Sequence, residues 1–203
     1  MNPATEQPGF ATRGRLFLGW VRWFLFIGGA FAVCYVAVTL LHARFYQEAA
    51  NNTLQQQMQS QEQHKANPPA AVVKEGDLLG RIEIPRLGMK VAILEGTRSR
   101  TLRLGVGHIG GTALPGEPGN IGIAGHRDTF FRGLKDIRAS DEIQIQTATG
   151  LSDYEVDWVK IVPPDDTEVL APSAESDLTL VTCYPFYFIG AAPQRFVVHA
   201  RKK

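Results

Sequence analysis

Hydrophobic and polar positions alternate in three different ways along this chain. From Trp23 to Leu41 the sequence WFLFIGGAFAVCYVAVTLL runs for 19 residues without a charge. A helix needs about 20 apolar residues to cross a hydrocarbon core, so this stretch predicts a transmembrane helix. From Gln47 to Pro69 the texture turns polar, with seven glutamines, three asparagines and almost no large apolar side chains. Such a segment cannot bury enough surface to fold alone. It reads as a spacer or an extension of the membrane helix, closed by Pro68 and Pro69. From about Ala71 onward, short apolar runs are broken by Gly, Pro and Asp.

Those short runs predict strands. Leu78–Ile84 stops at Pro85, Lys90–Leu94 precedes Gly96, and Ile121–Ala124 follows Gly119-Asn120. Glu142–Thr147 alternates strictly and is answered, past Thr149-Gly150, by Tyr154–Val162, which together read as a hairpin. Leu178–Thr182 and Arg195–Ala200 close the series, and only Thr101–Leu104 and Thr129–Leu134 suggest helical turns. Many strands separated by turn residues indicate an all-β barrel or sandwich. About 130 residues suffice for one core.

Charge sets the direction of the anchor. Arg13, Arg15 and Arg22 oppose a single Glu6 upstream of the apolar run, which predicts a cytoplasmic N-terminus and an exported remainder. Cleavage as a signal peptide near Ala43 and lipid modification at Cys34 are the competing readings; the length of the run and the Val before Cys34 favour an uncleaved anchor. The expected organisation is therefore a cytoplasmic segment (1–22), a transmembrane helix (23–41), a polar spacer (42–70) and a folded domain (71–203). The net charge of +1 gives no basic excess, so nucleic acid is not an expected partner.

Cys34 lies inside the apolar run, which leaves Cys183 as the one cysteine of the exported part. It has no partner there for a disulfide. A buried small hydrophobe is the bland alternative. Cys183 ends a strand just before Tyr184-Pro185, however, and proline cannot continue a central strand. The thiol is thus expected at a sheet rim, where substrate can reach it. An ordinary thiol is mostly protonated at neutral pH, and an imidazole is the usual partner that takes its proton. His42 borders the membrane, His64 lies in the spacer and His199 lies among apolar residues of a late strand. His126, which follows a strand through Gly125, is preferred. His108, in the glycine-rich stretch Gly105–Gly111, is a candidate for bordering the site. Attack on a carbonyl also calls for donors aimed at the oxyanion. Arg195 opens the strand after Cys183 and is placed to lie beside it; Arg127 and Arg132 are positional rivals, and an ordinary salt bridge is the alternative role. No Cys/His cluster has zinc spacing, and no phosphate loop is present.

Together these residues resemble the sortase family, and within it the class D group. Thr179-Leu180-Val181-Thr182-Cys183 matches the TLxTC signature at every defined position, Arg195 follows twelve residues later, and Gly119–Asp128 matches the segment carrying the family's histidine. Leu104–Gly111 and Leu114-Pro115-Gly116 are similar to the loop before it. The resemblance implies a closed barrel of about eight strands with one or two short helices, behind an N-terminal transmembrane helix. It also implies a transpeptidase of the bacterial cytoplasmic membrane, single-pass, with its catalytic domain extracytoplasmic. Cys183 would cleave an LPxTG-like C-terminal sorting motif of a protein substrate through a thioester. An amine acceptor, either a cell-wall precursor or a protein lysine, would then resolve it, with His126 as acid and base and Arg195 as anion stabiliser. Thr182 joins His108 as a substrate-contacting candidate, and Pro163–Asp177 is expected to cover the peptide. Some sortases bind calcium, and Asp165, Asp166 and Glu168 would be the residues to serve; solvated loop charge is preferred, so no metal or cofactor is expected. An L,D-transpeptidase would need an SHGC-like signature that Thr-Cys-Tyr-Pro does not supply. A tethered peptide-binding domain and a hydrolase without productive transfer are the remaining alternatives.

Overall fold

The computed structural model describes residues 10–63, 73–188 and 190–203. Residues 1–44 and 45–203 form two units. A long helix, α1 (Phe10–Gln63), contributes to both. In the first unit, Arg22–Thr39 is long and apolar enough to cross a membrane, and none of that window is buried.

The second unit is built on eight strands: β1 (Leu78–Ile84), β2 (Met89–Glu95), β3 (Val106–His108), β4 (Asn120–Gly125), β5 (Glu142–Thr147), β6 (Gly150–Val162), β7 (Asp177–Tyr184) and β8 (Gln194–Lys202). They close into a barrel in the order β1-β2-β3-β4-β7-β8-β6-β5, with β1 pairing back onto β5. Two neighbours, β2–β3 and β4–β7, run parallel; the others are antiparallel. Connections carry a one-turn helix, α2 (Ser99–Leu102), and short 3-10 turns at Pro85–Leu87, Arg132–Asp136 and Glu168–Leu170. The all-β barrel with few helices is the expected class.

Alternation along the strands decides what fills the barrel. Ile82, Ile84, Ile121, Ile123, Ile143, Ile145, Leu178, Leu180 and Val198 point inward and are at most 1% exposed. Phe131 and Leu134, between β4 and β5, complete the core with no exposed surface.

Two parts of the chain depart from the sequence reading. The glycine-rich stretch expected as a loop contains β3. A Cβ at Gly105 would come within 2.5 Å of the Ala92 carbonyl oxygen, and one at Gly107 within 2.2 Å of that of Gly96. These glycines permit close backbone packing beside β2. The polar stretch after residue 42 is helical through Gln63, the extension that was one of its two readings. Ala50 and Leu54 on it are buried, the Gln47 Oε1 accepts from the Ala92 N–H at 2.7 Å, and Gln47 Nε2 donates to the Leu104 carbonyl. Pro68 and Pro69 lie outside the described residues.

Candidate active site

Three segments reach the same rim because of register. In the parallel pair β4–β7, Gly125 lies opposite Thr182, so the next residues along, His126 and Cys183, emerge side by side. In the antiparallel pair β7–β8, Cys183 lies directly opposite Arg195. Residues opposite one another project to the same face of a sheet. Leu178 and Leu180 of β7 and Phe196 and Val198 of β8 face the core, so Cys183 and Arg195 project outward. Both are nevertheless only partly exposed, as is His126. The sequence candidates are thus brought to one end of three adjacent strands, on the outer wall of the barrel.

The local chain explains each placement. Just after Cys183 the strand ends at Tyr184, and Pro185 follows through a cis peptide bond. His126 leaves β4 in a tight turn whose carbonyl accepts from the Phe131 N–H at 3.1 Å. That turn buries the Phe131 ring against Gly125, where any Cβ would come within 2.6 Å of the ring. Arg195 donates through Nη1 to the carbonyls of Gln194 (3.0 Å) and Ala192 (3.3 Å). Among the described residues its Nε and Nη2 make no hydrogen bond to protein. Cys183 is a free thiol.

The other two sequence candidates are buried. His108 is 2% exposed. Its Nδ1 is 2.8 Å from Glu95 Oε2, and its Nε2 is 3.0 Å from both the Ala113 carbonyl oxygen and the Thr112 hydroxyl. With both nitrogens engaged and the ring buried, it ties β3 to the loop before β4. Thr182 is also 2% exposed, and its hydroxyl donates to the Gly125 carbonyl at 2.7 Å. It holds the backbone in front of His126 and does not face outward. Of the rivals to Arg195, Arg132 is exposed at the start of its 3-10 turn. Arg127 donates to the segment that follows β7. His199 stacks on Trp158 at 4.8 Å between Asp157 and Asp177.

Beside the rim runs a shallow wall made by the outward residues of β4 and β7. Ala124 and Val181 are paired there and half-buried. Two loops meet above the neighbouring Gly122, where a Cβ would come within 3.0 Å of both Leu170 and Thr112. One of them, the segment from 163 to 177, is held by a pair of buried polar residues that sequence reasoning did not single out. Asn120 Nδ2 donates to the carbonyls of Ala171 (3.1 Å) and Val169 (3.3 Å), and its Oδ1 accepts from Thr179 Oγ1 at 2.8 Å. Thr179 was visible as part of the signature. Asn120 stands in the sequence only as a residue introducing the strand Ile121–Ala124, within the segment that carries His126. In the same segment, Asp166 Oδ1 accepts from the Glu168 N–H at 3.2 Å. No group of three or more His, Cys, Asp or Glu side chains that could hold a metal occurs among the described residues.

Comparison with known proteins places this architecture. The family model described as "Sortase domain" matches residues 82–203, more than half of the chain. Sortase D of Bacillus subtilis (strain 168) is 37% identical over 128 residues, covering 63% of this chain and 65% of the relative. Sortase A of Bacillus anthracis is 26% identical over 110 residues, 52% of each protein. The chain therefore spans less than two thirds of the length of these curated relatives. Among solved structures, a sortase D5 transpeptidase of Clostridium perfringens superposes with a TM-score of 0.63 at 28% identity, covering 79% of this chain and 97% of that one. Sortase C of Clostridium perfringens, solved with the C-terminal cell wall sorting motif, gives a TM-score of 0.61 at 27% identity, covering 77% and 88%.

Proposed function

Since the chain belongs to the sortase family, we propose that it is a cysteine transpeptidase that cleaves an LPxTG-like sorting motif and transfers the acyl part to an amine. The observation that carries this reading is the register: Gly125 opposite Thr182 and Cys183 opposite Arg195 put a thiol, an imidazole and a guanidinium at one rim.

The chemistry follows from those groups. Cys183 yields its proton to His126, and the sulfur attacks the carbonyl carbon of the motif's Thr. The carbonyl electrons move to oxygen, where the free Nε and Nη2 donors of Arg195 are available to the developing anion. As the intermediate collapses, the C–N bond to the following residue breaks. The leaving amine takes the proton from His126, and a thioester remains. An incoming amine then gives a proton to His126 as it attacks the thioester carbonyl, and the C–S bond breaks. The products are a new amide and the restored thiol. No metal or cofactor enters these steps. The peptide is proposed to lie along Ala124 and Val181, under the segment from 163 to 177. The amine is that of a cell-wall precursor or a protein lysine. The apolar stretch Arg22–Thr39 is proposed to anchor the enzyme in the bacterial cytoplasmic membrane as a single pass, N-terminus inside and barrel outside.

The test uses the full chain in detergent micelles, with sorting-motif peptides and candidate amines. Intact-mass analysis is expected to show an acyl adduct on Cys183 and an amide product, and Cys183→Ala is expected to abolish both without changing the thermal unfolding midpoint appreciably. No adduct across a peptide library would reject the proposal. An adduct that only hydrolyses, whatever amine is offered, would reduce it to a hydrolase.

A further inference from the structure

Arg127 is the residue immediately after His126, and it makes contacts that the reaction above does not use. Its Nη2 donates to the Phe188 carbonyl at 2.7 Å and to the Gly190 carbonyl at 3.1 Å. Its guanidinium carbon lies 6.0 Å from the centre of the Phe188 ring. Nη1 is shielded from solvent and has no hydrogen-bond partner among the described residues. The segment it grips joins β7 to β8, so it leaves the sheet just after Cys183 and rejoins it just before Arg195.

Phe186 packs the start of that segment against Phe196 and Tyr184, but the part beyond it has little else to hold it among the described residues. Tyr187 is 74% exposed and Phe188 46%. Its internal hydrogen bonds among described residues are the Phe188 N–H to the Pro185 carbonyl at 3.3 Å and the Arg195 Nη1 contact to Ala192. Arg127 therefore ties the His126 turn to the outer part of the stretch bracketed by Cys183 and Arg195. On the other side of His126, Thr182 grips the Gly125 carbonyl. The histidine is held from both flanks, by one bond inside the barrel wall and by one guanidinium outside it.

We infer that Arg127 is a positioning residue. It fixes the β7–β8 connection against the His126 turn and so sets how the imidazole meets the thiol and how Arg195 is presented. The donors of its Nη2 are already spent on backbone carbonyls, which argues against direct recognition of the peptide. A planar guanidinium holds Nη2 in fixed geometry between the two carbonyls; lysine can reach the same acceptors with a point charge but holds them less firmly.

This inference rests on the proposed function only for its turnover assay, so a second assay needs no peptide. Full-length wild type, Arg127→Met and Arg127→Lys are compared in detergent. The rate of Cys183 alkylation by iodoacetamide is followed across pH. The connection that Arg127 ties brackets Cys183, so loosening it changes how reagent and imidazole meet the sulfur; Met is expected to change the alkylation profile and Lys to restore much of it. In transpeptidation, Met is expected to lower kcat roughly 10- to 100-fold, in keeping with misplacement of about an ångström. KM should change less than about threefold, and the unfolding midpoint should stay within about 2 °C. An unmoved alkylation profile would overturn the inference, whether or not stability had fallen. So would a raised KM at unchanged kcat, which would assign Arg127 to the peptide instead. If no variant turns over peptide, wild type included, the proposed function fails and the alkylation profiles still decide the role of Arg127.

Discussion

Thr182 shows how a residue beside a reactive group acts without touching substrate. Its hydroxyl crosses from β7 to the carbonyl of Gly125 on β4, in a position closed to solvent. Removing the donor leaves a buried carbonyl without its partner, a loss of about 1–3 kcal/mol. Thr182→Val keeps the shape and loses the bond. It is expected to lower the unfolding midpoint and slow acyl transfer, whereas Thr182→Ser should preserve both; calorimetry and a peptide assay on the same preparations check this. Cys183, His126 and Arg195 were legible because each stands where a strand meets a breaker or begins, which a linear sequence records. The partner of Thr182 was not. It depends on a parallel pairing between segments 57 positions apart, and no local pattern encodes which strand becomes the neighbour. The burial of His108 was hidden for a related reason: its glycine neighbours suggested an open loop, while Gly105 and Gly107 serve a close approach of backbones.

Among elements, β4 works as a hinge post for two loops, because its outward face offers a glycine where they meet and an asparagine that latches one of them. Asn120 and Thr179 together make four hydrogen bonds, three of them to the carbonyls of Val169 and Ala171. Asn120→Ala strips Val169 and Ala171 of a buried donor, at a cost of about 1–3 kcal/mol. Faster amide exchange across residues 168–172, without global unfolding, is the expected result, accompanied by a higher KM for the peptide. Exchange confined to its wild-type rate would refute the latch. At the opposite side of the element order, Arg86 in the turn after β1 pairs with Asp141 just before β5, and the same carboxylate accepts from the Arg138 N–H at 2.9 Å. The Arg86 guanidinium is the main cause holding the Asp141 carboxyl below its usual range. A carboxyl with a lowered folded pKa contributes stability above its unfolded value of about 4 and loses it as pH falls through the folded value. The midpoint of Arg86→Met should therefore trail wild type most at neutral pH, with the gap narrowing below about pH 4 in a series of melts. The strand series itself was legible from alternation, and β3 was not, since three residues among glycines carry no periodic signal.

At the scale of the molecule, the question is where the folded unit begins. Composition left the glutamine-rich stretch as either a spacer or an extension of the membrane helix, with too few apolar residues to fold alone. What composition misses is placement. Gln47, Ala50 and Leu54 recur at intervals of three and four, which is one face of a helix, and that face packs. Leu54 is only 2% exposed, and Gln47 satisfies a backbone donor and a backbone acceptor at once. Asn51 adds a contact of 3.4 Å from the Arg81 guanidinium to its side-chain oxygen. A buried leucine cut back to alanine costs about 2–5 kcal/mol, a large fraction of the stability a single domain possesses. Leu54→Ala should accordingly lower the unfolding midpoint of the full chain. A version beginning near Ala71, which lacks the helix altogether, should melt lower still than one beginning at Phe45. Equal midpoints for the two shortened versions would mean that the helix rests on the barrel without supporting it. A deficit carried by both Leu54→Ala and the shorter version would place the start of the folded unit at the helix, well before β1 begins at Leu78.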